Sequence, residues 1–143
     1  MLTSQQLSDV LRANGYKVTP QRLAVYEALA ATKSHPTAEM LFSTLQPKYP
    51  SMSFATVYKT VEILDRIHVI KILNTGEDSM RYDADTSIHH HIQCNECGRV
   101  DDLMDVDSSG LVKEAENLSG YDIAGHQFYF FGVCPHCRKA HQN

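Results

Sequence analysis

The sequence predicts an α+β fold: an N-terminal half laid out as a winged helix-turn-helix, then a small α/β half organised around four cysteines. Three observations carry this expectation. Capped, helix-periodic segments fill the first 66 residues and lead into two short β-rich runs about a turn. Beyond residue 85, strand-like apolar runs dominate. The only cysteines form two matched pairs, Cys94-x-x-Cys97 and Cys134-x-x-Cys137, supplying the four thiolates of a closed tetrahedral Zn²⁺ site.

The elements follow in order. Thr3 with Gln6 reads as a capping box for a helix stopped at Asn14-Gly15. Thr19 caps a second helix with Pro20 at its first position, and Leu23, Val25, Tyr26, Leu29 and Ala30 form its apolar face. Thr37 caps a third helix with Met40, Leu41 and Leu45 inward, ended by Pro47 and Pro50. Ser53 caps a fourth from Phe54 to Arg66, whose Val57, Val61 and Leu64 recur at helical spacing. Val69–Leu73 and Met80–Tyr82 read as strands around the turn Thr75-Gly76-Glu77-Asp78. In the second half, His89–Cys94 and Val100–Leu103 read as strands around the first cysteine pair, and Ser108–Leu118 as a helix. The run Phe128-Tyr129-Phe130-Phe131 has apolar residues at adjacent positions, the pattern of a strand buried on both faces, within the chain or in a sheet shared with a second subunit. Domains are expected at residues 1–83 and 84–143.

Charge is uneven. The net charge of −4 argues against nucleic acid at first sight, yet residues 1–85 hold nine basic and nine acidic side chains, against four and eight in the remainder. The acidity sits in the cysteine-rich half, leaving the first half room for a basic face. On the fourth helix, Ser53, Thr56, Tyr58 and Lys59 offer hydroxyls, a phenol and an ammonium opposite the apolar face, groups that meet phosphates and base edges in a major groove. Lys17 and Arg22 add phosphate or minor-groove contacts. The competing reading is a helical bundle with ordinary polar faces.

The 36 residues between the cysteine pairs exceed a simple zinc ribbon, so the metal would tie together the ends of a subdomain. Two disulfides or a redox dithiol are the alternatives. The lack of an apolar leader or membrane-length run favours a reducing, cytoplasmic setting and zinc. Just before the first pair lies His89-His90-His91, whose strand alternation puts His89 and His91 on one face. Asp83, Asp102 and His35 are candidates to complete a second site. Its nitrogen and carboxylate donors suit Fe²⁺, Mn²⁺ or Zn²⁺, in contrast to the all-sulfur set. A solvated histidine strand is the plainer reading.

Together the elements Val18-Thr19-Pro20-Gln21-Arg22, His35-Pro36-Thr37-Ala38, Ala55-Thr56-Val57-Tyr58, Arg81-Tyr82-Asp83, His89-His90-His91 and the two cysteine pairs closely resemble the ferric uptake regulator family of bacterial metalloregulators. The resemblance runs from about Leu7 to Cys137. It implies a winged-helix DNA-binding domain, an α/β dimerisation domain and a homodimeric, non-enzymatic repressor on palindromic AT-rich operator DNA, away from membranes. Within the family the chain resembles the peroxide-responsive branch. That implies a regulatory site of His35, Asp83, His89, His91 and Asp102 holding Fe²⁺ or Mn²⁺, with His35 and His89 oxidised by peroxide. Iron sensors commonly carry glutamate at the two aspartate positions. His90 and His126 match two ligands of a further family site, but Ile88 and Ser109 stand where others are expected, implying a residual or altered site. Ile70 and Ile72 replace histidines of nickel-sensing relatives. Other readings are an iron- or zinc-level sensor of the same family, a metallohydrolase, and a zinc-ribbon protein-interaction module. No His-Glu-x-x-His pattern supports the hydrolase.

Overall fold

A computed structural model describes residues 1–76 and 78–142. The chain forms two compact units, Met1–Thr86 and Ser87–Asn143. The division falls just beyond the line drawn after residue 83 from sequence.

In the first unit, helices α1 (Ser4–Ala13), α2 (Pro20–Ala30), α3 (Ala38–Leu45) and α4 (Phe54–Arg66) precede an antiparallel pair, β1 (Lys71–Leu73) and β2 (Arg81–Asp83). Each helix starts where a hydroxyl can accept an orphan N–H. Thr3, Thr19, Thr37 and Ser53 accept from the backbones of Gln6, Arg22, Met40 and Thr56, and at α1 the Gln6 side chain returns the bond to Thr3. Such a cap stabilises its helix by about 1 kcal/mol. Gly15, at φ +77°, ends α1 in the left-handed region.

Leu7, Leu11, Val25, Tyr26, Leu29, Leu41, Val57, Val61 and Leu64 form one core. The Tyr26 hydroxyl, deep in that core, accepts from the backbone N–H of Leu2 at 2.7 Å and so pins the N-terminus. Met40, expected inward, is instead 48% exposed. The buried face of α3 runs through Ala38, Leu41 and Leu45, spaced three and four apart, and Met40 falls off that stripe. The first β-run is also shorter than expected, because Val69 and Ile70 pack into the core before the strand starts at Lys71. Of the expected turn, Glu77 lies outside the described residues.

The second unit is a three-stranded sheet in the order β4-β3-β5, built from β3 (His90–Cys94), β4 (Val100–Leu103) and β5 (Tyr129–Gly132). It also carries helices α5 (Ser109–Ser119) and α6 (Pro135–Ala140). Strand β3 is central, antiparallel to β4 and parallel to β5. Two expectations need correction. Strand β5 is not buried on both faces: at the sheet edge Phe130 and Phe131 are 43% and 56% exposed in the single chain. The second cysteine pair, which the sequence reads as a turn on Pro135, instead starts a helix: Cys134 caps α6 and Pro135 takes its first position. That start signal was present in the sequence and was missed.

Tyr82, on β2, is buried. Burial pushes its phenol up from 10.0 to about 12, and the Tyr58 and Glu39 charges add to the effect. A raised folded-state pKa means that this contribution to stability is full below the unfolded value and is lost as pH rises from about 10 towards 12. Urea unfolding at stepped alkaline pH should show stability falling over that window, and Tyr82→Phe should shrink the fall.

Candidate metal centres and nucleic-acid interface

The four cysteine sulfurs lie within 4.8 Å of one another. Cys97 Sγ and Cys134 Sγ are 3.9 Å apart, far beyond a disulfide and close to the S···S edge of about 3.8 Å set by 2.3 Å zinc–sulfur bonds in a tetrahedron. Local structure explains the convergence. Gly98, at φ +74°, turns the chain back so that the Cys94 N–H reaches the Arg99 carbonyl and the Gly98 N–H reaches that of Cys94. The first turn of α6 brings Cys137 N–H onto Cys134 Sγ.

Backbone N–H groups of Cys97 and Cys134 hold the Cys94 thiol down to about 6, favouring its thiolate form. Its neighbours, Cys134 first, push Cys137 above the ordinary thiol range. Four sulfurs this close cannot all ionise without a cation among them, and a Zn²⁺ ion supplies the compensating charge. The donor set and spacing therefore fit structural zinc.

The other predicted ligands form one group in each unit. In the first, His35 Nε2 and Asp83 Oδ2 are 3.3 Å apart and both residues are buried. His35 adopts φ +50°, in the left-handed region that a non-glycine residue enters only when its surroundings hold it there. Those surroundings are visible: the His35 carbonyl accepts from the Arg81 guanidinium at 3.2 Å, and the next carbonyl, of Pro36, accepts from Tyr82 N–H at 3.1 Å. Arg81, buried beneath this loop, entered the sequence reading only within the matching run Arg81-Tyr82-Asp83, with no role assigned. Its signal was only a charged residue inside a strand-like run. Asp83 Oδ1 accepts from the Asp85 N–H at 2.8 Å, so Asp85 orients that carboxylate through its backbone.

In the second unit, Asp102 Oδ1 lies 3.2 Å from His89 Nε2 and 3.4 Å from His91 Nε2. The β3–β4 register sets His91 directly opposite Asp102. Alternation puts His89 beside His91, their ring centres 4.7 Å apart. The Nδ1 of His89 lies 3.0 Å from the Ser87 carbonyl, so Nδ1–H donates there and Nε2 keeps its lone pair for a metal. Gln127, missed in the sequence, lies 3.3 Å from His91 Nδ1.

His90 points the other way and meets His126, ring centres 5.4 Å apart. Burial first, and His126 second, push His90 below its ordinary pKa. Ser108 stands between the two rings, and Ser109 is turned to the Asp107 carboxylate.

Of the predicted DNA-contacting residues, three share one cleft and Tyr58 lines another. Arg22, Thr56 and Lys59 line an open cleft of about 550 Å³ with Gln21 and Tyr49. Lys17 anchors its neighbour: its carbonyl accepts from the Arg22 guanidinium at 2.6 Å. Ser53 is exposed and caps α4, its hydroxyl accepting from the Thr56 N–H at 3.2 Å. Tyr58 is 46% exposed, its ring 6.2 Å from that of Phe54. Among the described residues no helix is long and apolar enough to cross a membrane.

Comparison with known proteins agrees with this geometry. Residues 13–131 match the model of the ferric uptake regulator family. A transcriptional regulator PerR of Clostridium acetobutylicum is 43% identical over 132 residues, covering 92% of this chain and 96% of the relative. A peroxide-responsive repressor PerR of Staphylococcus epidermidis is 34% identical over 129 residues, 90% and 86% of the two chains. The solved Helicobacter pylori ferric uptake regulator, at 24% identity, shares the fold with a TM-score of 0.82 over 94% of this chain and 90% of its own. The chain belongs to the ferric uptake regulator family. It is a metal-dependent transcriptional repressor of that family, and its fold joins a helical first unit to a cysteine-clustered α/β second unit.

Cys94→Ser should lower bound zinc by one ion per chain, measured by elemental analysis of the purified protein. The same variant should be largely monomeric or misfolded, because loss of one thiolate frees the end of the central strand. A dimeric Cys94→Ser protein with undiminished zinc would count against the cysteine assignment.

Proposed function

We propose that the chain is a homodimeric, peroxide-responsive repressor whose regulatory metal joins His35 and Asp83 of the first unit to His89, His91 and Asp102 of the second. The observation that carries this reading is the Asp102 carboxylate held against the imidazoles of His91, on the neighbouring strand, and of His89, just before that strand. Three imidazole nitrogens and two carboxylates form a borderline-hard donor set, suited to Fe²⁺ or Mn²⁺ and unlike the thiolate cluster. Both carboxylates are aspartates, and the Staphylococcus epidermidis relative, 34% identical, is by name a peroxide-responsive repressor.

Each unit contributes ligands that cannot make a full site alone. One ion shared by both would fix the angle between the DNA-reading unit and the pairing unit. In a dimer that angle sets the separation of the two α4 helices, and operator half-sites have fixed spacing. Metal and DNA binding are then reciprocally coupled, typically by about 1–3 kcal/mol. Arg22, Thr56 and Lys59, which line one cleft, are the leading contacts to phosphate and base edges, with Lys17 and Tyr58 as further contacts. The aromatic edge strand, with Phe130 and Phe131 exposed, supports pairing of two copies through the second unit.

Held by these five residues, iron would supply the electron transfer by which peroxide gives one oxygen atom to a carbon of a nearby imidazole while its other oxygen leaves as water. His35 and His89 are the rings that take up oxygen. An oxygenated ring is a poorer nitrogen donor, so its unit loses hold on the shared site and the protein leaves its operator. Asp83 and Asp102 bring the negative charge that favours a divalent ion.

Protein loaded anaerobically with Fe²⁺, bound to a palindromic AT-rich duplex selected from a random pool, should release it after a small excess of peroxide. Peptides containing His35 or His89 should gain the mass of one oxygen, and Mn²⁺-loaded protein should gain none. Unmodified histidines with DNA still bound would leave a sensor of metal level. DNA binding that is absent, or insensitive to salt, would favour a protein-interaction module.

A further inference from the structure

The His90–Ser108–His126 cluster has a defined proton order. The Phe128 N–H lies 3.2 Å from His90 Nδ1. A backbone N–H only donates, so His90 Nδ1 is the acceptor and the single proton of the neutral ring sits on Nε2. That Nε2 lies 3.4 Å from Ser108 Oγ, which accepts from it. The hydroxyl has one proton of its own, and the short 2.6 Å separation from His126 Nε2, typical of an O–H rather than an N–H donor, assigns that proton to this bond. His126 therefore keeps its ring proton on Nδ1. Donation runs one way through the cluster: Phe128 N–H to His90, His90 to Ser108, Ser108 to His126.

The placement of Ser108 is independent support. It occupies the N-cap of α5, where a serine ordinarily bonds the helix backbone, yet makes no cap bond. The Asp107 carboxylate takes the Ser109 N–H and hydroxyl instead, at 3.0 and 2.7 Å. Both His90 and Ser108 are buried. The Phe128 ring packs against both imidazoles, its centre 5.0 Å from that of His90 and 5.5 Å from that of His126.

A metal ion fits poorly here. Coordination through both Nε2 atoms would drive the His90 proton to Nδ1, setting it against the Phe128 N–H. Two donors would then face each other at 3.2 Å. Among the described residues no His, Cys, Asp or Glu completes a ligand group with the pair.

We infer that Ser108 orders the protons of His90 and His126 into a metal-free clasp, which ties the central strand β3 to α5 and to the segment leading into β5. This does not depend on the peroxide reading. The family's further metal site is thereby replaced by a hydrogen-bonded link, and the stability of the sheet on this face is uncoupled from the supply of labile metal.

Long-range ¹H–¹⁵N correlation of the imidazoles tests it on the full chain carrying zinc at the cysteines, near pH 7.5. The expected spectrum shows His90 protonated at Nε2 and His126 at Nδ1. Further Zn²⁺ should leave both ring patterns in place, and His126→Ala should bind as many zinc ions per chain as the parent. A His90 ring protonated at Nδ1 would overturn the clasp. So would a zinc equivalent that shifts both Nε2 resonances, or one that is lost in His126→Ala. The native-chain spectra decide the matter whether or not the variant folds.

Discussion

The register of β3 against its two neighbours is the constraint on which the second unit depends. This one strand and the residue before it supply His89 and His91 to the Asp102 cluster, His90 to the serine clasp and Cys94 to the thiolate cluster. Because strand side chains alternate, a slip of one residue would turn His91 away from Asp102 and bring His90 to face it. Several features oppose a slip. The pairing of His91 with Asp102 on one side and with Tyr129 on the other is continuous over four residues of each neighbour. The strand is locked at its end by Gly98, which returns the chain so that Cys94 pairs with Arg99, and by the Asn95 N–H, 2.7 Å from the Gly132 carbonyl.

Much of this was legible because the signals were local. A hydroxyl before an apolar-periodic run marks a helix start, and all four helix starts of the first unit follow that rule. Two C-x-x-C pairs leave few arrangements for four sulfurs. Strand alternation alone separated His90 from its neighbours. What stayed hidden was set by contacts between segments distant in sequence. The parallel pairing of β3 with β5 joins residues about forty positions apart, so no periodicity reports it. Ser108 looks like an ordinary helix cap until the fold brings His90 and His126 to its hydroxyl. Arg81 looks solvent-facing until the His35 carbonyl is seen against it. The run holding Phe130 and Phe131 was read as buried, within the chain or against a second subunit, because an apolar run records hydrophobicity and carries no information about which surface covers it.

The strained backbone at His35 belongs with the regulatory reading. Left-handed φ at a non-glycine residue costs on the order of 1–3 kcal/mol. Here it is held by the Arg81 guanidinium on the His35 carbonyl and by Tyr82 N–H on that of Pro36, both from β2. The same strand carries Asp83, so the segment that holds the imidazole also presents its carboxylate partner. A ligand pair fixed in this way loses little freedom when a metal arrives, so more of the binding free energy remains to order the two units.

The two donor sets also divide the labour of the proposed repressor by chemistry. Thiolates are soft, carry full negative charge and enclose zinc completely, so that site is suited to permanence. Its ligands all come from one unit, and filling it cannot report on the relation between units. Imidazole and carboxylate donors bind first-row divalent ions less tightly and less selectively, so occupancy can follow supply. Divided between two units, such ligands make occupancy a mechanical variable. A switch needs a weak, shared site beside a strong, private one; exchanging the two donor sets would leave a sheet that melts with metal supply and a hinge that never opens.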